Sequence, residues 1–141
     1  MELLWKETTE GVDWEELAAL YRAAPLGTKD AAALATAFSN SRFVVFVYEA
    51  GHLAGVGRAL ADGVDCSCIC DVALLPSHQG CGLGKEIVQR LVERSRGHRK
   101  ILLYAVPGKE SFYARFGFRR MKTAMAIFQK PEEAQANGYI E

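Results

Sequence analysis

The chain has 141 residues, half of them apolar and 24% charged, and its seventeen basic residues are balanced by seventeen acidic ones. That length can bury one core of ordinary domain size without disulfide or metal staples, and a formal charge of zero leaves no global field to draw nucleic acid or a membrane surface. No unbroken apolar run is longer than Phe43 to Tyr48, far too short for a bilayer-spanning helix, and Met1-Glu2-Leu3 starts no basic signal-peptide region, so the reading is a cytoplasmic protein whose partners are small molecules, with no nucleic acid and no membrane.

Taken in order, Leu3 to Thr8 reads as a short strand, and Val12-Asp13 opens a helix with Asp13 as its N-cap. Leu17, Leu20 and Tyr21 follow Trp14 at helical spacing, with Glu15, Glu16 and Arg22 on the other face. Pro25 and Gly27 end that helix, and Thr28 or Asp30 caps a second, alanine-rich one that runs through Phe38 with Leu34 and Phe38 on one stripe. Arg42 to Glu49 is β-prone, Ala50-Gly51 is a two-residue turn, and His52 to Leu60 is the returning strand of a hairpin. Gly55 and Gly57 mark a bulge or a close backbone approach in that strand. His52, beside the turn, is expected in solvent.

Asp62-Gly63 turns the chain into a further strand. Its Cys66, Cys68 and Cys70 alternate, so their side chains share a face. No C-x-x-C pair or neighbouring histidine completes a metal site, and small buried thiols in a reducing compartment, with no metal, are expected. An apolar run from Ile69 to Leu75 ends at Pro76, the loop Gln79-Gly80-Cys81-Gly82-Leu83-Gly84-Lys85 follows, and a helix starting at Leu83 carries Leu83, Ile87, Val88, Leu91 and Val92 on one stripe. Closely spaced glycines let a backbone approach a ligand, and a helix N-terminus offers unpaired amides and a positive dipole end, so the pattern predicts an anion cradle for a phosphorylated ligand. A Walker A loop is excluded because Gln79 and Glu86 stand where it needs glycine and a hydroxyl. A dinucleotide fingerprint is excluded because Gly84 falls one residue early for G-x-G-x-x-G.

Gly97 stops the helix, and the basic run Arg94 to Lys100 is its solvated end. Lys100 to Val106 reads as the next buried strand. Pro107-Gly108 turns into a short helix holding Phe112, Tyr113 and Phe116, Gly117 caps it, Phe118 to Gln129 supplies a last strand or hairpin, and Pro131 to Glu141 is a loose polar tail. Strands, helices and then a β-α-β succession imply an α/β fold, a mixed sheet covered by helices on both faces.

What remains of the loop, Gln79-x-x-Gly82-x-Gly84, resembles motif A (Q/R-x-x-G-x-G/A) of the Gcn5-related N-acetyltransferases, the GNAT family, and Phe112-Tyr113-Ala114-Arg115-Phe116-Gly117-Phe118 looks like its F-Y-x-x-x-G-F motif. The resemblance covers roughly Arg42 to Phe128 and is to the small amine acetyltransferases in particular. It implies the GNAT-like acyl-CoA N-acyltransferase fold, one domain over residues 1–130, and acetyl-CoA as co-substrate. It also implies that the amides of Gln79, Gly80, Cys81, Gly82, Leu83, Gly84 and Lys85 grip the pyrophosphate, while Val72, Ala73 and Leu74 pair with the pantetheine arm. Tyr113 takes the place of the family's general acid, and Asp71 is the candidate base or amine-binding residue, since a carboxylate in an apolar strand needs a partner or a function. The connection Ala24 to Lys29 corresponds to a wall of the acceptor site, and Val106 departs from the polar residue, commonly asparagine, found there in many relatives. The implied activity is acetyl transfer to a primary amine of a small molecule by direct attack on the thioester. A protein or peptide amine, a non-catalytic acyl-CoA sensor and a homodimer are left open.

Overall fold

The computed structural model describes residues 2–141 and divides them into two compact units, one running from the N-terminus through Leu103 and the other Tyr104–Glu141. The first unit holds a five-stranded sheet in the order β1-β2-β3-β4-β5, made of β1 (Leu3–Lys6), β2 (Phe43–Glu49), β3 (His52–Ala61), β4 (Cys66–Leu74) and β5 (Lys100–Leu102). Neighbours are antiparallel except β4 and β5, which are parallel and joined by a helix. The β2–β3 turn has Ala50 and Gly51 at φ 51° and 78°, the left-handed pair that matches strand twist in a two-residue hairpin.

Helices cover both faces. On one side α1 (Trp14–Ala23) and α2 (Ala31–Ser39) press Leu17, Leu20, Tyr21, Leu34 and Phe38 onto Phe46, Leu53, Val56 and Ala73. Their N-caps are side-chain carboxylates: Asp13 accepts from the amides of Glu15 and Glu16, and Asp30 from that of Ala33. On the other side lies α3 (Leu83–Ser95), with Leu83, Ile87, Val88 and Leu91 buried. Gly55 and Gly57 give it room, since a Cβ at Gly57 would stand 2.8 Å from Leu91 Cδ1 and 2.9 Å from Ile87 Cγ2. The close-approach reading of these glycines is therefore correct, and the register shift in β2–β3, where Val47 pairs with Gly55 and Tyr48 with Leu53, shows that the strand is bulged as well. At the far end of α3 the buried Ser95 hydroxyl bonds to that of Ser67 on β4 at 2.8 Å.

Three expectations from sequence need correction. The strand expected over Lys100 to Val106 stops at Leu102, because only Lys100–Leu102 find partners, opposite Cys66–Cys68. No strand forms between Phe118 and Gln129. In that segment Met125 and Ile127 are 96% and 103% exposed, so alternation there creates no buried face and a ladder has nothing to gain. The tail is not loose: α5 (Pro131–Ala136) starts with proline in its first turn followed by Glu132 and Glu133, buries Ala134, and precedes Tyr139, whose ring packs against Tyr104 and Phe128. The second unit also contains α4 (Glu110–Ala114).

The tight α3–β3 approach yields a stability prediction. Gly57→Val should cost about 1–3 kcal/mol by overpacking two fully buried side chains, read as a lower urea midpoint with an unchanged m-value.

Candidate active site

The local event that shapes the site is a bulge in β4. Val56 pairs with Ala73 and Arg58 with Cys70, so Asp71 and Val72 together oppose Gly57. Asp71 takes the left-handed conformation, φ 56°, which non-glycine residues adopt at a cost of about 1–3 kcal/mol. Aspartate is among the residue types that tolerate it best. Two contacts fix it. The Tyr21 hydroxyl donates to the Asp71 carbonyl at 2.6 Å, and the Arg58 Nε–H donates to Asp71 Oδ2 at 2.8 Å. Arg58 also reaches the Ser41 hydroxyl at 3.2 Å and lies over the Phe38 ring, while Lys29 Nζ stands 3.8 Å from Asp71 Oδ1. That last distance is an ion pair without a hydrogen bond, which leaves Oδ1 able to accept one.

Beyond the bulge β4 outruns β5. Their ladder covers only Cys66–Cys68, so along Ile69–Leu74 no strand among the described residues pairs with the edge of β4 opposite β3. Val72, Ala73 and Leu74 sit on that open edge. The chain then passes a single 3-10 turn at Pro76–His78 and enters the glycine loop. Gly80 and Gly82 have φ 82° and 86°, and a Cβ built on either meets nothing within 4 Å. Gly82 is the N-cap of α3, no side chain caps the helix, and Gly84 already lies within its first turn. The first amides of α3 therefore lack the usual side-chain acceptor beside an open, glycine-shaped hollow, a geometry suited to phosphate oxygens.

The loop is tethered from below. His78 Nε2 lies 2.7 Å from Glu49 Oε1, and its Nδ1 lies 2.9 Å from the Ser77 hydroxyl. A neutral ring satisfies both, donating to the carboxylate and accepting from serine. The Cys81 thiol donates to the His78 carbonyl at 2.8 Å. His78 thus orders the loop, and His52 is exposed as expected.

Tyr113 belongs to the second unit. It is half-buried on α4, edge-on to Phe112 and Phe118, and among the described residues its hydroxyl has no hydrogen-bond partner. Burial pushes its ionisation above the ordinary tyrosine value, so the hydroxyl keeps its proton at neutral pH.

Asp71, Val72–Leu74 and Gln79–Lys85 thus follow one another along a single stretch of the first unit. Sequence reading missed Arg58, Tyr21, Ser41 and Glu49, and included Lys29 only as the end of the acceptor-site wall. Arg58 did leave a signal, a charge inside an otherwise apolar strand, and it answers the partner question posed by Asp71. Tyr21 read as core and is fully buried, yet its hydroxyl bonds to the bulge carbonyl. Among the described residues no group of three or more His, Cys, Asp or Glu side chains could hold a metal ion, and no helix is long and apolar enough to cross a membrane.

Tyr21 gives a pH prediction. Burial first, and then the Asp71 charge, raise its ionisation well above the ordinary value. Its contribution to stability is therefore complete below about pH 10, where free tyrosine titrates, and is lost as pH rises past that point because only the unfolded chain ionises readily. Tyr21→Phe should lose about 1 kcal/mol at neutral pH for the missing bond. It should also flatten the fall in stability above pH 10, as followed by urea unfolding across pH.

With this geometry in view, similarity to known proteins can be placed. The family model described as Acetyltransferase (GNAT) family matches residues 2–118. GCN5-related N-acetyltransferase 1, chloroplastic, of Arabidopsis thaliana is 34% identical over 119 residues, covering 82% of this chain and 60% of the relative. Serotonin N-acetyltransferase 2, chloroplastic, of Oryza sativa is 37% identical over 91 residues, covering 61% and 46%. The chain therefore spans about half to three-fifths of the length of these curated relatives. Among solved structures, a Staphylococcus aureus protein described as a probable acetyltransferase superposes with a TM-score of 0.77 at 26% identity, covering 90% of this chain and 99% of that one. By its family match, its relatives and its mixed sheet, the chain belongs to the GNAT family of acetyltransferases.

Proposed function

We propose that the protein transfers the acetyl group of acetyl-CoA to a primary amine of a small molecule, residues 1–130 acting as one N-acetyltransferase domain. The observation that carries this reading is the uncapped N-terminus of α3 behind Gly80 and Gly82, directly downstream of the open edge of β4. In this reading the amides of Gln79–Lys85 hold the pyrophosphate, and the edge backbone groups of Val72, Ala73 and Leu74 take the amides of the pantetheine arm as a missing strand would. The relative named for serotonin supports a small amine as acceptor.

The chemistry asks two things of the chain. An amine of pKa about 10 is mostly protonated at neutral pH and must lose a proton before attack. Asp71 offers Oδ1 to the incoming ammonium while Arg58 holds Oδ2, so the carboxylate orients the amine and accepts its proton directly or through water. The departing thiolate must be protonated in turn, and Tyr113, kept neutral by burial, supplies that proton.

Two substitutions test the assignment. Gly82→Val places a side chain in the hollow and strains a left-handed position, but meets no protein atom. Acetyl-CoA binding by calorimetry should weaken at least about tenfold, or about 1.4 kcal/mol, while the fold persists. Tyr113→Phe keeps the ring and removes the proton, so kcat in an acetyl-CoA-driven amine screen with thiol detection should fall about 10²- to 10⁴-fold with coenzyme affinity little changed. Retention of more than half the turnover would assign the proton to water or another group. Tight acetyl-CoA binding with no turnover of any amine would make the protein a sensor.

A further inference from the structure

Cys68 and Cys70 are absorbed by neither the fold nor the proposed chemistry. Both are free and half-buried, and their sulfurs stand 3.9 Å apart on the strand segment between the end of the β4–β5 ladder and the Asp71 bulge. We propose that this pair is a dithiol site for trivalent arsenicals of the R–As(OH)2 class, and that occupancy blocks the open edge of β4.

The spacing decides among three fates for two neighbouring thiols. A disulfide requires Cβ atoms about 3.5–4.5 Å apart. Residues two apart along a strand are separated by about 6.6 Å of rise, so closing the bond would pull β4 out of its ladder. A zinc-type ion wants four protein ligands at a structural site, and among the described residues no group of three or more is available. A centre that needs only two sulfurs fits with a small closure of the thiols. Trivalent arsenic is pyramidal with angles somewhat above a right angle, so at sulfur bonds of about 2.3 Å, the length of a zinc–thiolate bond, it would hold the two sulfurs about 3.4 Å apart, which side-chain rotation reaches from 3.9 Å.

The electrostatics set the order of bond formation. The Cys70 S–H pointed at Cys68, helped by the Arg58 charge and opposed by burial, lowers the Cys68 thiol to about 7, while the same contact and burial raise that of Cys70. Cys68 attacks first as the thiolate. Once its charge is consumed in an As–S bond, Cys70 no longer hydrogen-bonds a thiolate and gives up its own proton more readily. Overall, two S–H bonds and two As–OH bonds break, two As–S bonds form, two waters leave and arsenic stays trivalent. The blocked-edge consequence rests on the coenzyme reading of Val72–Leu74, whereas the site itself does not.

The test uses the full chain and phenylarsonous acid at equimolar concentration, read by intact mass. One adduct per chain should form, withstand excess glutathione and be released by dithiothreitol. Cys68→Ser and Cys70→Ser should each weaken capture by at least about a hundredfold, since the second bond is then no longer intramolecular. Cys66→Ser and Cys81→Ser should keep it, and melting curves confirm that each variant is folded. Absence of a glutathione-resistant adduct, or its persistence in either Cys68→Ser or Cys70→Ser, overturns the site. In a second arm, calorimetry should show weaker acetyl-CoA binding in the wild-type adduct and no effect of the reagent on Cys68→Ser. An adduct with unchanged coenzyme affinity overturns the blocked edge. If the untreated protein binds no acetyl-CoA, the coenzyme reading fails instead, and the mass result still judges the dithiol.

Discussion

One ion pair and one hydrogen bond hold the arrangement on which the rest depends. Asp71 occupies a backbone conformation that an unconstrained strand residue avoids, and it stays there because Arg58 binds its carboxylate and Tyr21 binds its carbonyl. Each contact is charge-assisted or short, and together they offset a strain of about 1–3 kcal/mol. The two anchors come from different elements, β3 and α1, so the bulge is locked to both the sheet and the helical layer above it. Beyond the bulge β4 continues without β5, and a row of backbone groups remains available to a ligand.

The second dependency is the depth at which α3 sits. Gly55 and Gly57 remove side chains from β3 where α3 crosses it, and the Ser67–Ser95 bond fixes the helix's far end on β4. A helix seated this firmly brings its N-terminus to a defined height above the sheet. The loop ahead of it is held separately, by His78 to the end of β2 through Glu49. The cradle is thus rigid through three strands, although its own residues are mostly exposed.

The fold was legible wherever a residue's role is local. Asp13 and Asp30 cap the helices expected of them, the Ala50-Gly51 turn forms, and the α3 stripe is buried apart from Val92, which is half-buried. The glycine loop was legible as a cradle because glycine spacing and a helix start are both local signals. What sequence did not reveal is long-range pairing. Arg58 and Asp71 are thirteen positions apart, Tyr21 and Asp71 fifty, and no periodicity encodes either contact. The missing strands have the same cause: Tyr104 to Val106 and Phe118 to Gln129 have suitable composition, but a strand exists only where an edge receives it. The C-terminal helix is the opposite case, since its proline start and acidic first turn were local signals that the polar composition masked.

The bulge also separates what the fold needs from what the site needs. Upstream of Asp71 the odd positions face α3, as the Ser67–Ser95 bond shows, and downstream the even ones do, with Val72 and Leu74 beside Ile87 and Ala73 in the opposite core. Strand parity therefore changes at this residue alone. Excising Asp71 would restore an unbroken alternation in which Cys70, Val72, Ala73 and Leu74 all keep their present faces, whereas excising Val72 instead would turn the Asp71 carboxylate onto the α3 face. Neither apolar layer uses the Asp71 side chain, although Tyr21 in the core bonds its carbonyl. A single residue outside the alternation thus places a carboxylate beside the open edge while both core-facing rows of the strand keep their places.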